Sequence, residues 1–353
     1  MALQRIHNVA IKGISSAVPK ESHEVRSWTS FDSPEACEKY IESVGVDRLR
    51  LHGGKMTCSD LCQAAGERLL EELGWKPEDV DMLVYVSQSM DYILPATACV
   101  LHGKMGLRKD CTCFDISLGC SGWTYGLSVV AAMMSSGAFK KVLLLMGDAK
   151  MMLPIKKTHS TPLFGDAGTA TALVYEEGAP EMVIDTKTDG TGYEAIIIRG
   201  GGARRPACKE SLERKEDAYG HTHSELDAEM DGAAVFIFGI SQVPRAIKNI
   251  LRVTEQTVDD VDFFVFHQAN LMMNEQIRRK CRIPEEKCPY CLRDFGNNSS
   301  ASIPLTIVTQ MREQMLQATR PQKIVACGFG VGLSWGTACL QFDSIVIPPL
   351  VEL

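Results

Sequence analysis

The chain has 353 residues, of which 45% are hydrophobic and 23% charged, and its formal net charge is −7. That length allows a large buried core and predicts two domains or one duplicated unit. The acidic balance argues against a general nucleic-acid-binding surface. We see no secretory signal pattern and no stretch of roughly 18 apolar residues that would span a bilayer. We therefore expect a cytoplasmic protein that binds neither nucleic acid nor membrane.

An internal repeat organises the predicted elements. Residues 76–88 (KPEDVDMLVYVSQ) resemble residues 257–269 (TVDDVDFFVFHQA), since each copy has acidic residues, Val-Asp, an apolar strand and a polar end. A helix-like segment precedes each copy, and another helix candidate follows it. Apolar strands alternate with helices, which favours an α/β fold with a mainly parallel sheet covered on both faces. We predict two α/β halves, residues 1–178 and 179–353.

A single cysteine lies between a predicted strand and a predicted helix. The segment FDISLGCSGW places Cys120 directly after Gly119, and helical spacing then continues to Gly137. Free N–H groups at a helix N-terminus stabilise a thiolate, and flanking glycines let a substrate approach. Cys120 is therefore a candidate nucleophile. Because most cysteines are inert, a structural cysteine at a tight turn is the alternative.

Three later segments carry polar or glycine-rich strand ends. His267 ends a buried strand, where parallel sheets build their sites, although a satisfied core histidine is the alternative. Asn297 and Asn298 lie in a Gly/Ser-rich turn, where asparagine is usually structural. The segment GFGVGLSWG allows close backbone approach and offers N–H groups to an oxyanion. It lacks the features of a dinucleotide-binding loop.

Taken in order, these segments resemble one enzyme family. The segments are IKGISSAVP, SMDYILPATACVLHGKMGL, DISLGCSGWTYGL, PLFGDAGTATAL, MDGAAVF, HQAN, FGNNSSASIP and GFGVGLSWG. Together they resemble β-ketoacyl-[acyl-carrier-protein] synthase III, in the thiolase-like condensing-enzyme superfamily, over nearly the whole chain. The resemblance implies a thiolase-like α/β fold of two duplicated halves, with five αβαβα layers. It also implies a homodimer formed through the central sheet.

The resemblance assigns roles to particular residues. It implies that Cys120 takes an acyl group from a thioester, and that its N–H and that of Val331 form the oxyanion hole. It implies that His267 and Asn297 bind the thioester carbonyl of malonyl-acyl-carrier protein and stabilise the enolate left after CO2 departs. Leu94 matches the residue that helps to close the partner's acyl pocket. No metal or cofactor is implied, because CoA or phosphopantetheine enters as part of a substrate.

The departures from the family pattern lie at the substrate entrance. Tyr40 is the only aromatic candidate where the family has a CoA-stacking tryptophan, and Met272 stands where an arginine often contacts the carrier arm. Arg278, Arg279 and Lys280 are a candidate carrier-protein patch, with a solvated helix end as the alternative. The donor is therefore left open between an acyl-CoA and an acyl-carrier protein.

The leading functional prediction is a condensing acyltransferase that joins acyl-Cys120 to malonyl-acyl-carrier protein with decarboxylation. One alternative passes the acyl group to an amine, a hydroxyl or another β-keto acceptor in a specialised pathway. A further alternative is a non-catalytic thiol-containing binding protein. Cys288 and Cys291 have the C-x-x-C spacing of redox dithiols, but no helix pattern begins directly after them, which argues against that role.

Overall fold

The computed structural model describes residues 3–28, 31–149, 162–216 and 222–353. The strands of these residues are β1 (Leu3–Ile6), β2 (Val9–Val18), β3 (Ser22–Glu24), β4 (Arg48–Arg50), β5 (Met82–Val86), β6 (Thr112–Ile116), β7 (Lys141–Asp148), β8 (Ala167–Tyr175), β9 (Met182–Thr188), β10 (Ile196–Ile197), β11 (Lys215–Glu216), β12 (Thr222–His223), β13 (Glu229–Met230), β14 (Phe263–Phe266), β15 (Gln322–Gly330), β16 (Ser334–Phe342) and β17 (Val351–Glu352). The helices are α1 (Pro34–Val44), α2 (Cys58–Leu73), α3 (Thr97–Lys104), α4 (Gly122–Met134), α5 (Gly232–Val253), α6 (Leu271–Lys280), α7 (Leu292–Phe295), α8 (Ser302–Thr306) and α9 (Arg312–Gln317), and a π-helical turn (Ile307–Met311) joins α8 to α9.

Two central sheets share one pattern of strand pairing. Within the described ranges, the larger sheet has six strands in the order β17-β2-β8-β7-β5-β6, and the smaller has five in the order β1-β9-β16-β15-β14. In the larger sheet β5 is parallel to β7, which is antiparallel to β8, which is antiparallel to β2. In the smaller sheet β14, β15, β16 and β9 repeat that series. The duplicated α/β architecture predicted from the repeat is therefore confirmed.

The expectation of a mainly parallel sheet holds for the larger sheet, where three of five strand pairs are parallel, but is wrong for the smaller one, where only the pair β14–β15 is parallel within the described residues. The reason is visible between β15 and β16. Only residues 331–333 separate these strands, which leaves no room for a crossover helix, so they pair antiparallel. The predicted coverage of both faces is correct.

The repeat extends to individual hydrogen bonds at the start of β5 and β14. The carboxylate of Asp81 accepts from the N–H of Lys141 at 3.0 Å, and that of Asp262 accepts from the N–H of Lys323 at 2.8 Å. Each aspartate also donates its own N–H to the carbonyl of the same lysine. The Val-Asp pair seen in both sequence copies therefore ties the start of one strand to its parallel neighbour.

Side-chain alternation on the strands produces five layers. On β5, Leu83 and Tyr85 face α2 and α3, while Met82, Val84 and Val86 face the centre of the molecule. The central layer contains α4 and α8, and it packs against one face of each sheet. Helices α5 and α6 cover the far face of the smaller sheet. The αβαβα arrangement implied by the resemblance is confirmed.

The chain ends cross between the two halves. Strand β1 pairs with β9 in the smaller sheet, and β17 pairs with β2 in the larger one. The division between residues 178 and 179 remains a sequence prediction. Among the described helices, none is both long and apolar enough to cross a bilayer.

Candidate active site

Cys120 lies in a tight turn between β6 and α4. The N–H of Gly122 donates to the carbonyl of Gly119 at 2.7 Å, which closes the turn and directs the chain into the central helix. Gly330, at the end of β15, passes directly beside the cysteine. A Cβ at Gly330 would lie 2.6 Å from the Cβ of Cys120 and 2.8 Å from its Sγ, so only glycine permits this approach. That approach brings the N–H of Val331 to the sulfur.

Burial controls the ionisation of Cys120. It raises the pKa of the thiol, and this effect outweighs the N–H groups of Val331 and Cys120 and the hydroxyl of Ser299, which act in the opposite direction. The thiolate expected from the helix terminus is therefore not the favoured resting form. A nucleophilic role for Cys120 would therefore require a proton acceptor.

His267 follows β14 and is almost fully buried. Its backbone N–H donates to the backbone carbonyl of Cys327 at 2.8 Å. Its ring contacts that of Phe329 edge-on, with a centroid distance of 5.4 Å. Burial lowers the pKa of His267 to about 4, so the imidazole is neutral at neutral pH. This matches the neutral hydrogen-bond donor that enolate stabilisation requires.

The hydroxyl of Ser302 determines which ring nitrogen of His267 carries hydrogen. Ser302 Oγ lies 3.0 Å from His267 Nδ1 and 2.7 Å from the carbonyl oxygen of Ser299. When Ser302 donates to that carbonyl, Nδ1–H donates to Ser302 and Nε2 is an acceptor. When Ser302 donates to Nδ1, Nε2 carries the hydrogen and is a donor. The second arrangement is the one that an enolate needs.

Asn297 is held by both ends of its amide. Its Oδ1 accepts from the N–H of Ser299 at 2.9 Å, and its Nδ2 donates to the carbonyl of Ala269 at 3.3 Å. One amide hydrogen therefore has no hydrogen-bond acceptor among the described residues. Asn298 serves a different purpose, because its Nδ2 donates to the carbonyl of Phe295 at 3.1 Å and stabilises the turn.

Ser299 joins the three candidate residues, and sequence reasoning missed it. Its Oγ lies 3.9 Å from Cys120 Sγ, its N–H donates to Asn297 Oδ1, and its carbonyl oxygen lies 2.7 Å from the hydroxyl of Ser302, which contacts His267. Its φ of 48° is unusual for a residue other than glycine. Strained backbone of this kind is concentrated at functional sites. The only sequence signal was a run of serines after the Asn-Asn pair.

Asp148, at the end of β7, is a second residue that sequence reasoning missed. Its Oδ1 accepts from Ser87 Oγ at 3.0 Å and from the N–H of Gln88 at 2.8 Å, and its Oδ2 accepts from Ser300 Oγ at 3.3 Å. Burial raises the pKa of this carboxyl, although the Ser299 hydroxyl and other donors oppose the rise. A carboxylate therefore lies next to the turn that contains Ser299 and Ser300.

The other predicted site residues lie away from this cluster. Leu94 is 83% exposed, beside Ile93 at 88%. Both arginines pair with Glu275, at 2.7 Å from Arg278 and 3.3 Å from Arg279, but the Arg278 side chain is only 13% exposed whereas that of Arg279 is 69% exposed.

Met272 and Tyr40, the two residues at which the substrate entrance departs from the family pattern, have different surroundings. Met272 is 51% exposed in the first turn of α6. Tyr40 instead packs against Phe31 with ring centroids 5.3 Å apart.

The C-x-x-C pair has no redox geometry. Cys288 contacts Tyr290 Oη at 3.4 Å, while Cys291 accepts from Thr306 Oγ1 at 3.2 Å, and the two thiols lie in different hydrophobic clusters. Burial raises the pKa of each to about 12, so neither is a ready thiolate. Over the described ranges, no group of three or more His, Cys, Asp or Glu side chains is arranged to hold a metal ion.

A cysteine next to the central layer of a duplicated five-layer fold, linked through Ser299 to a neutral histidine and an amide, is the arrangement expected of a thiolase-like condensing enzyme. Comparison with known proteins agrees. Residues 114–192 match the 3-oxoacyl-[acyl-carrier-protein] synthase III family, and residues 251–342 match the C-terminal part of the same family. The first match includes Cys120, and the second includes His267, Asn297 and Val331.

Whole-chain relatives extend the match. The crystal structure of a 3-oxoacyl-[acyl-carrier-protein] synthase from Burkholderia xenovorans is 34% identical, with 99% of each chain covered and a TM-score of 0.92. The β-ketoacyl-[acyl-carrier-protein] synthase III of Caldanaerobacter subterraneus is 29% identical over 94% of this chain and 97% of that protein. A priming β-ketosynthase from the R1128 polyketide biosynthetic pathway is 25% identical, with 98% of each chain covered and a TM-score of 0.79. The chain belongs to the 3-oxoacyl-[acyl-carrier-protein] synthase III family and is an acyltransferase of that type.

Proposed function

We propose that the protein condenses an acyl primer, held as a thioester on Cys120, with malonyl-acyl-carrier protein to give CO2 and a β-ketoacyl-acyl-carrier protein. One observation carries the proposal. Ser299 links the partly buried sulfur of Cys120 to Asn297 directly and to His267 through Ser302. These are the groups needed for acyl transfer and for enolate formation.

In the first half-reaction, the Cys120 sulfur attacks the carbonyl carbon of a thioester donor. The N–H groups of Cys120 and Val331 both act to lower the pKa of the thiol, against burial, and they are the donors available to the oxyanion that forms next to it. When the oxyanion collapses, the donor's thiol leaves and an acyl-Cys120 thioester remains. Backbone donors suit this task because they are fixed before the charge appears.

In the second half-reaction, the free amide hydrogen of Asn297 and the Nε2–H of His267 bind the thioester carbonyl of the malonyl group. The bond to the carboxylate breaks, CO2 leaves, and the electron pair forms an enolate. Because His267 is neutral, the site stabilises this charge with dipoles and leaves the enolate unprotonated. The enolate carbon then attacks the acyl carbonyl of Cys120, and the cysteine sulfur leaves.

The carrier protein and a second copy of the chain are the proposed partners. Arg279 and Lys280 lie at the end of α6 and supply the exposed charge of the carrier-protein patch, while Arg278 is mostly buried; Glu275 pairs with both arginines. Strand β6 is an edge strand of the larger sheet in the described residues, and Leu94 lies in an exposed apolar loop. Both features support a homodimer formed through that sheet. A cytoplasmic location stays a prediction.

Two side chains at the substrate entrance bear on the identity of the acyl donor. Met272 presents an exposed apolar side chain beside HQAN, and Tyr40 packs against Phe31. Neither offers the charge or the free aromatic face that would bind a CoA nucleotide strongly. This supports an acyl-carrier protein or an acyl-CoA bound chiefly through its acyl arm. The mechanism itself requires no metal or redox cofactor.

Release of CO2 from malonyl-acyl-carrier protein tests the second half-reaction. His267→Ala and Asn297→Ala should still accept an acyl group on Cys120 but lose CO2 release and product. Asn298→Ala is the matched control, because it removes a neighbouring amide whose Nδ2 donates to the carbonyl of Phe295 in the turn. Acyl transfer to an amine or hydroxyl without CO2 release would instead support the specialised-acceptor alternative.

A further inference from the structure

Two buried serine hydroxyls join the two turns that meet at Cys120. Ser334 Oγ donates to the carbonyl oxygen of Val331 at 2.7 Å, and Ser121 Oγ lies 2.6 Å from Ser334 Oγ. Because the one hydroxyl hydrogen of Ser334 goes to Val331, the hydrogen between the two serines comes from Ser121. The order of donation is therefore Ser121 to Ser334 to the Val331 carbonyl. Ser121 is fully buried and Ser334 is 2% exposed, so this pair is shielded from water.

The turn of residues 330–333 packs directly on the turn that carries Cys120. A Cβ at Gly119 would lie 2.9 Å from Val331 Cγ1, and a Cβ at Gly328 would lie 3.0 Å from Ser121 Cα. Packing fixes the distance between the turns, whereas a hydrogen bond fixes a direction. The bond from Ser334 anchors the peptide plane that follows Val331, and rotation of that plane moves the preceding plane, which carries the Val331 N–H.

The opposite side of the same turn is fixed by the main chain. Leu333 donates its N–H to the carbonyl of Asp189 at 3.2 Å and accepts from the N–H of Asp189 at 2.8 Å. Side-chain hydroxyls therefore hold the side that faces Cys120, and main-chain bonds hold the other. A buried polar network whose members are paired in this way rigidifies its surroundings.

We propose that Ser334 and Ser121 are positioning residues for acyl transfer, which hold the N–H of Val331 where the carbonyl oxygen of the acyl donor becomes negative. Their hydroxyls are already paired with each other and with Val331, so they act through that residue. An oxyanion donor is effective because it is fixed before the charge appears, and a displacement of about 1 Å costs about 100-fold in rate. The inference rests on the proposed acyl-Cys120 intermediate, with the Val331 N–H as one donor.

The test compares two reactions of the same sulfur. Acylation of Cys120 by p-nitrophenyl acetate passes through an oxyanion; it releases p-nitrophenolate, which absorbance follows over the first turnover, and one proton to the buffer. Alkylation by iodoacetamide displaces iodide without an oxyanion, and mass spectrometry of the Cys120 peptide follows it. Ser334→Ala should slow acylation about 100-fold at pH 7, with the half-saturating ester concentration unchanged. Any fall in its alkylation rate should be far smaller.

Thr337→Val is the matched control, because it removes a buried hydroxyl from the same strand, β16, without removing a hydrogen bond. Thr337 is fully buried, and its Oγ1 has no hydrogen-bond partner in the described ranges. This variant should be acylated at the wild-type rate. Ser334→Thr keeps the hydroxyl and should restore most of the rate that Ser334→Ala loses.

The order of donation gives a second test. Ser121→Ala leaves the bond from Ser334 to Val331 in place, so it should slow acylation less than Ser334→Ala does. The double variant should be no slower than Ser334→Ala alone, because the Ser121 hydroxyl acts through Ser334. Losses that simply add would show that the two serines act separately, which would overturn the inference.

Unchanged acylation in Ser334→Ala would also overturn the inference, as would equal falls in acylation and alkylation, which would mean that the variant disturbs the sulfur itself. If Ser334→Ala fails to fold, Ser121→Ala carries the same comparison, and equal falls there would have the same meaning. These results leave the acyl-Cys120 intermediate in place. No Cys120-dependent release of p-nitrophenolate by the wild type would instead remove that intermediate, and the inference with it.

Discussion

The neutral state of His267 has a measurable consequence for stability. Burial lowers the pKa of His267 from 6.5 to about 4 in the folded chain, while the unfolded chain retains the ordinary value. The unfolded state therefore binds more protons between these values, so the stability contributed by the neutral ring is present above pH 6.5 and is lost as the pH falls toward 4. The linkage relation gives a loss of about 2 kcal/mol between pH 7 and pH 5 from this residue alone.

The measurement is urea unfolding of the wild type and of His267→Gln at pH 7 and pH 5, at one protein concentration. Other groups also titrate in this range, so the informative quantity is the difference between the two proteins. Between pH 7 and pH 5, the free energy of unfolding should fall by about 2 kcal/mol more in the wild type than in the variant. Equal losses in both proteins would refute the account, because they would mean that His267 binds its proton equally well when folded.

The remaining predictions concern the approach to the sulfur and the docking surface. Gly330→Ala places a Cβ 2.6 Å from that of Cys120, and the resulting displacement should slow acyl loading at least 100-fold, whereas Gly190→Ala, with nothing within 4 Å, should load normally. Equal loading by both variants would show that the close approach is unimportant. Arg279→Glu combined with Lys280→Glu should raise KM for the carrier protein about tenfold at low salt with little change in kcat, and the effect should shrink as salt rises. A salt-independent KM or a loss confined to kcat would remove these residues from the docking surface.

The sequence predicted the fold best where a short motif corresponds to a repeated feature of the whole fold. The Val-Asp repeats at residues 80–81 and 261–262 predicted the duplication because the same hydrogen bonds start β5 and β14. It was less informative about strand direction. An apolar run looks alike in a parallel and an antiparallel strand, and only the short connection at residues 331–333 reveals that β16 turns back.

The same limit explains which site residues were missed. Cys120 and His267 were visible because His267 follows β14 directly and Cys120 lies in the turn after β6, where side chains reach a sheet edge. Ser299 and Asp148 were not, because a serine in a turn and an aspartate at a strand end are ordinary, and their importance depends on contacts between residues far apart in the sequence, such as the 3.3 Å bond from Ser300 to Asp148. The pKa of Cys120 was expected to be lowered by the helix, but burial, which depends on β15 and Gly330, determines it.

Intact-protein mass spectrometry tests the central claim most directly. The protein would be incubated with a panel of acyl-CoAs and acyl-carrier proteins, with Cys120→Ala alongside. The account predicts a mass gain equal to one acyl group with at least one donor, its loss in Cys120→Ala, and its discharge when malonyl-acyl-carrier protein is added. A gain that persists in Cys120→Ala, or no gain with any donor, would contradict the acyl-Cys120 mechanism.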